Sequence, residues 1–279
     1  MMHTYEDNYN KELKIDCEKC FGLCCVALYF SASEGFPTNK EAGKPCINLQ
    51  SDFKCSVHKE LEKMGLKGCT AYHCFGAGQK VSQVTYGGQD WRKNPKTAKQ
   101  MFDVFLIMRQ LHEIMWYLTE TFALQRDKQL KAEISSLLKD TERITLSDVE
   151  SLLALDMESH RTKVNILLKD TSDRVRAKAC HGKNISSNKS KPLDYFGADL
   201  RKKNLKGADF RGACLIAANL RGVDLNGADF IGADLRDADL SGANLSNSIF
   251  LTQAQINTAK GNSHTKLPER LTAPEYWLK

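Results

Sequence analysis

Eight of the ten cysteines in this 279-residue chain fall between Cys17 and Cys74. "CEKCFGLCC" supplies Cys17, Cys20, Cys24 and Cys25, and Cys46, Cys55, Cys69 and Cys74 follow. The spacing reads C-x2-C-x3-C-C, then C-x8-C and C-x4-C. Close thiol pairs in a chain with no apolar leader point to metal rather than disulfides. Thiolates ligate zinc and iron–sulfur clusters alike, so residue type leaves both open. Adjacent side chains diverge. Cys24 and Cys25 therefore suit two metal centres, or one of them is packing, and eight thiolates would fill two four-thiolate sites. His58 and His73, beside Cys55 and Cys74, are further candidate ligands.

Other chemistry is sparse. "HEIMW" at His112 starts like a zinc-protease helix, but position 116 is Trp and the second histidine is missing. Asp156 and His160 stand four apart, a spacing that more simply steadies a helix. "GAG" is too short to cradle phosphate, no GxxxxGK[ST] occurs, and "TYGGQDW" reads as a turn or hairpin connection. No catalytic residue is assigned.

Five segments must position these groups: a Cys-rich metal-binding domain (1–93), an α-helical bundle (94–181), a linker (182–192, "GKNISSNKSKP"), a repeat (193–252) and a C-terminal cap (253–279). In the second, apolar residues recur at helical spacing on two stripes. One holds Val104, Ile107, Leu111, Ile114 and Leu118; the other holds Met101, Phe105, Met108, Met115 and Phe122. That predicts a helix buried on most of its surface, with two more helices near 127–142 and 147–180. Its charged residues argue against a membrane span. The net charge of +6 is mild for a nucleic-acid binder. The cytoplasm is the expected location.

The repeat has a period of five, which fits neither helix nor strand. Its centres are Leu200, Leu205, Phe210, Leu215, Leu220, Leu225, Phe230, Leu235, Leu240, Leu245 and Phe250. A small residue, usually alanine, stands two before each centre, and Asp or Asn usually one before. The large and small residues are expected to point inward, with Asp, Asn and Gly making the turns. "FLTQAQINTAKGN" reads as a short helix stopped by Gly261, and it would cover the terminal hydrophobic layer. The tail beyond it, with Leu267, Leu271, Tyr276 and Trp277, would finish the cap or offer an oligomer contact.

These units resemble the pentapeptide-repeat family, A(D/N)LXX. That resemblance implies a right-handed quadrilateral β-helix, a solenoid with four units per coil. Some family members protect DNA gyrase by imitating DNA, which needs a strongly negative surface. Residues 193–252 hold eight acids and seven bases, so mimicry is not expected here. The cysteine segment resembles bacterial CxxCxxCC domains described as zinc- or iron-chelating, with "PCINL" and "CSVHKEL" as downstream partners and one extra residue before Cys24. Nearly the whole chain resembles bacterial oxetanocin A resistance proteins, implying a part in tolerating a nucleoside-analogue antibiotic. A non-enzymatic interaction protein with a protein partner is the leading expectation. A metal-dependent enzyme or redox protein acting through the cysteines is the alternative.

Overall fold

The computed structural model describes residues 11–180 and 193–278, and the linker expected at 182–192 lies outside them. The chain forms two compact units, one ending at Leu168 and the other beginning at Lys169.

The first unit is helical. Short helices α1 (Leu23–Ala27), α2 (Lys67–Ala71) and α3 (Ala77–Gln79) precede α4 (Pro95–Leu124), α5 (Lys128–Thr145) and α6 (Val149–Leu153). α3 runs directly into a π-helical stretch, Lys80–Thr85. Gly87 and Gly88 turn the chain with positive φ, but between helical segments rather than strands. Pro95 opens α4, where its missing N–H costs nothing. Both expected stripes of α4 are largely buried: Met101, Val104, Phe105, Met108, Leu111, Met115 and Leu118 are at most 1% exposed. Leu23, Val26, Ala77, Val81, Trp91 and Leu152 complete this core, and Cys20, Cys24 and Cys74 pack against it.

The continuous helix expected over 147–180 is instead two, α6 and α7 (Met157–Ala179). The break has a local cause. Asp148 and Asp156 act as N-caps, accepting bonds from the Ser151 and Ser159 amides at 2.8 and 3.0 Å. Asp127 caps α5 in the same way. The boundary between the two units falls within α7. Among the described residues no helix is long and apolar enough to cross a membrane.

The second unit is built on the repeat. Parallel bridges join Asp194 to Cys214, Asp199 to Asn219, Asp209 to Asp229 and onward at the same separation of twenty. One coil is therefore four five-residue sides. The bridges are isolated, and the described residues contain no continuous strand or sheet. The reason is the short side: two of its five residues turn, which leaves little extended chain to pair. Ten of the eleven centres are buried, Leu205 being the partly exposed one. Asp and Asn side chains accept the amide two residues on, as at Asp194, Asp229 and Asp239 (2.9–3.0 Å). Glycine usually fills the following left-handed position, but Ala217 and Asp237 also adopt it, at φ 56° and 58°.

α8 (Gln253–Thr258) follows the last unit, and its N-cap Thr252 forms a capping box with Gln255. Gln255 Nε2 also donates to the carbonyls of Phe230 and Ala233, both at 2.8 Å. The chain then rejoins the coil, Lys260 bridging Asp239 and Lys266 bridging Asn244. Those partners come slightly later than the twenty-residue register, because α8 and its turn replace one side. Trp277 is buried, donates to the Ala259 carbonyl at 3.1 Å, and lies so close to Gly261 that a Cβ there would stand 2.4 Å from its ring.

Within the same unit, the last turns of α7 pack on the coil. Ser172 Oγ donates to the buried Asp229 carboxylate at 2.5 Å. Arg176, 3% exposed, pairs with Asp209 at 3.1 Å and donates to the Gly207 carbonyl at 3.0 Å. A Cβ on Gly227 would stand 2.5 Å from that of Ala179.

Candidate functional site

Asp16 starts the thiol region by capping the turn Cys17–Lys19 with a 3.1 Å bond to the Glu18 amide. Gly22, at φ 63°, then swings the chain into α1, which carries Cys24 and Cys25. This loop is fastened to α3 and the π-helical stretch. Gln79 Oε1 accepts the Asp16 amide at 2.7 Å, and Gln79 Nε2 donates to the Lys14 carbonyl at 2.8 Å. Ser82 Oγ accepts the Phe21 amide at 3.1 Å, and Trp91 Nε1 donates to the Phe21 carbonyl at 2.8 Å. A π-helical turn is uncommon, and such turns concentrate at functional sites.

This fastening gathers Cys17, Cys20, Cys24 and Cys74 around one cavity of about 20 Å³, floored by Phe105 of α4 and Gly78 of α3. A Cβ on Gly78 would stand 2.6 Å from Cys20 Sγ, so the thiol occupies space that only glycine leaves. The other four thiols form a second neighbourhood. Cys25 and Cys55 are hydrogen-bonded through their sulfurs, and Cys46 and Cys69 lie within electrostatic reach of each other. The Cys46 amide donates to the Cys25 carbonyl at 2.9 Å. Cys24 and Cys25 Sγ are 3.9 Å apart, so the neighbourhoods adjoin.

All ten cysteines are unpaired as disulfides. Burial pushes the Cys20 thiol up to about 11 and the Cys69 thiol to about 12. Cys17 and Cys74 are also raised by burial, Cys25 chiefly by its bond with Cys24, and Cys55 by its bond with Cys25. These thiols are therefore protonated at neutral pH, and their sulfurs do not converge. Among the described residues no three His, Cys, Asp or Glu are arranged as a ready-made metal site.

Each neighbourhood has a cation. Lys40 Nζ donates to the Val26, Glu41 and Lys44 carbonyls at 3.2, 3.0 and 2.8 Å, within reach of Cys24, Cys25, Cys46 and Cys69. Arg109 of α4 lies over Tyr72, pairs with Glu113 at 3.3 Å and acts on Cys74. Neither residue stands out in the sequence, because both are single cations without a motif.

The histidines fall elsewhere. His58 is exposed on the turn His58–Glu60. His73 is half-buried, desolvation lowers it to about 4, and its Nδ1 accepts the Phe75 amide at 3.2 Å. His112 is fully buried, with Nδ1 donating to the Phe75 carbonyl at 2.7 Å and Nε2 unpartnered. His160 meets Thr141 Oγ1 at 3.0 Å, while Asp156 serves as the cap described above.

On the coil, charges are paired in place. Arg201, Arg211 and Arg236 each hold the aspartate two residues before, and Arg221 reaches Asp239 on the next coil at 3.1 Å. The outer faces are thus polar and close to neutral.

A family model described as "Pentapeptide repeats" matches residues 196–227 and 213–250, in eight copies. Over 274 residues the chain is 56% identical to "Uncharacterized protein YybG" of Bacillus subtilis (strain 168), with 98% of each chain covered. No solved structure matches the chain.

Proposed function

Because this chain belongs to the pentapeptide-repeat family, we propose that it is a non-enzymatic interaction protein whose coil offers a firm polar face to a protein partner. The observation that carries this reading is the pairing of charges along the coil. A surface whose arginines are already held by neighbouring aspartates keeps its shape and presents little net field. In the finer reading the coil is a right-handed β-helix, and the partner belongs to the response to a nucleoside-analogue antibiotic in the cytoplasm. Reduced thiols suit that compartment.

The thiol-rich segment serves as a metal-held module in this reading. Its donor set is all sulfur, the donor type that takes zinc or iron–sulfur clusters. Thiols beside a cation favour binding, since the cation offsets the negative charge that four thiolates bring to one divalent ion. A bound ion would add cross-links to loops already fastened by side-chain hydrogen bonds.

The test is to replace Arg201 and Arg221 with Glu in the full chain and compare drug tolerance of cells carrying each form. Loss of tolerance with unchanged thermal unfolding supports a partner face on the coil. Full tolerance in the variant, with tolerance lost in a strain lacking the protein, would place the working surface elsewhere. A supercoiling assay with gyrase and a fluoroquinolone is expected to show no protection, and dose-dependent protection would revive DNA mimicry.

A further inference from the structure

We propose that the groove between α5 and α7 in the first unit seats a second copy of this chain, which presents the same groove in return. The two antiparallel helix pairs would then close as a four-helix dimer.

The groove encloses about 360 Å³ and lies open to solvent along one side. α5 and α7 run antiparallel beneath it. Thr141 Oγ1 meets His160 Nε2 at 3.0 Å, and from that contact the groove is lined by earlier residues of α5 and later residues of α7. The inward faces of both helices are complete, with Ile134, Leu138 and Val164 at most 1% exposed. The outward face is not. Leu137 and Leu167 are half-buried, and Ile166 is 66% exposed. One exposed isoleucine is ordinary on a protein surface. Here it borders a groove whose opposite edge is the small Ser136, so an apolar knob stands beside a hole.

The charges at the two ends decide what fits. Lys163 and Asp140 stand at the end nearest Thr141 and His160, and Glu133 stands at the other. Asp140 is already held by Arg143 of its own helix at 2.9 Å. That leaves a cation at one end and an acid at the other. Asp140 and Glu133 are seven residues apart, so the ends are separated by about 10 Å along α5. A two-fold axis through the middle of the groove, near Ser136, exchanges its ends. It sets Lys163 of each copy against Glu133 of the other, and Ile166 of each over Ser136 of the other. A groove of one sign throughout would repel its own copy, whereas this one is complementary to it. The contact is short, which places it in the class of small interfaces, so the dimer should form and dissociate with concentration.

The experiment is sedimentation equilibrium of the full chain across a wide concentration range. The wild type should move from one chain mass toward two. Ile166→Glu, at an exposed position, should keep the wild-type thermal unfolding and stay monomeric. Ser136→Arg, which fills the hole from another exposed position, should do the same and stands in if Ile166→Glu folds poorly. The charge variants read the two-fold register. Glu133→Lys or Lys163→Glu alone puts like charges together at two places in each dimer, and each should weaken association roughly tenfold. Both changes in one chain restore opposite charges across the axis and should return association to the wild-type strength. A wild type that stays monomeric throughout overturns the proposal. Self-association untouched by Ile166→Glu and Ser136→Arg places the second copy elsewhere and overturns it as well. A double charge variant as weak as the single ones overturns the two-fold pairing on which the proposal rests.

Discussion

Gly78 and Asp229 show how much rests on single atoms. Gly78 leaves room for Cys20, and a methyl group there would meet the sulfur at 2.6 Å. Gly78→Ala should destabilise the first unit by about 1–3 kcal/mol, the usual cost of overpacking. Thermal unfolding checks this, and an unchanged midpoint would mean that the thiol gives way freely. Asp229 is the opposite case, an acid that burial raises to about 6 despite the Ser172 hydroxyl, the Ile231 amide and Arg211 at 3.9 Å. Nearby Asp209 pushes in the same direction as burial. The folded state holds this proton more tightly than the unfolded chain, where the group titrates near 3.8. Its contribution to stability is therefore whole below about 4 and is lost as pH rises through about 6. Asp229→Asn keeps the size and removes the charge. It should raise stability at pH 7 by about 3 kcal/mol and flatten the pH dependence between about 4 and 6. Denaturant unfolding at several pH values reads both effects.

The elements differ in how openly the sequence announces them. The coil is the plainest, because its rule is local: a large residue every five, a small one two before, an Asx turn between. The α8 cap is plain for the same reason, with Thr252 and Gln255 spelling its capping box. The break before α7 is harder to see, since no Gly or Pro marks it and the cap Asp156 looks like any acid on a helix. The seat of α7 on the coil is invisible in the sequence. Ser172 and Arg176 are ordinary helix-surface types, and their partners Asp229 and Asp209 lie far along the chain. Ala217 tests the turn chemistry directly. It sits at φ 56° where most sides have glycine. Ala217→Gly should stabilise the second unit by about 0.5–1 kcal/mol, through relief of the left-handed strain offset by the added freedom of the unfolded chain. A lower melting temperature in the variant would contradict that balance.

At the scale of the whole molecule, the proposed metal would tie the first unit alone, so the two compact units should respond separately to its removal. A strong chelator is expected to lower the unfolding temperature of the first unit and leave the coil's transition in place, as resolved by calorimetry. A shift of both transitions together would show that the coil's stability depends on the thiol region. The run of cysteines was legible in the sequence, but the way the fold groups them was not. Cys74 meets Cys17 only because Gln79 and Ser82 fasten the loop back, and nothing in the spacing foretells that. The twenty-residue coil also governs which length changes the chain can absorb. Adding or deleting one five-residue unit before Asp229 would rotate every later side by one column. Asp229 would then leave Ser172, and Gly227 would leave its place against Ala179, while each new unit still obeyed the repeat. Only a change of four units together restores the columns. Gene variants in this segment should therefore tolerate insertions in steps of twenty residues and reject steps of five, a rule of counting that no inspection of a single repeat would reveal.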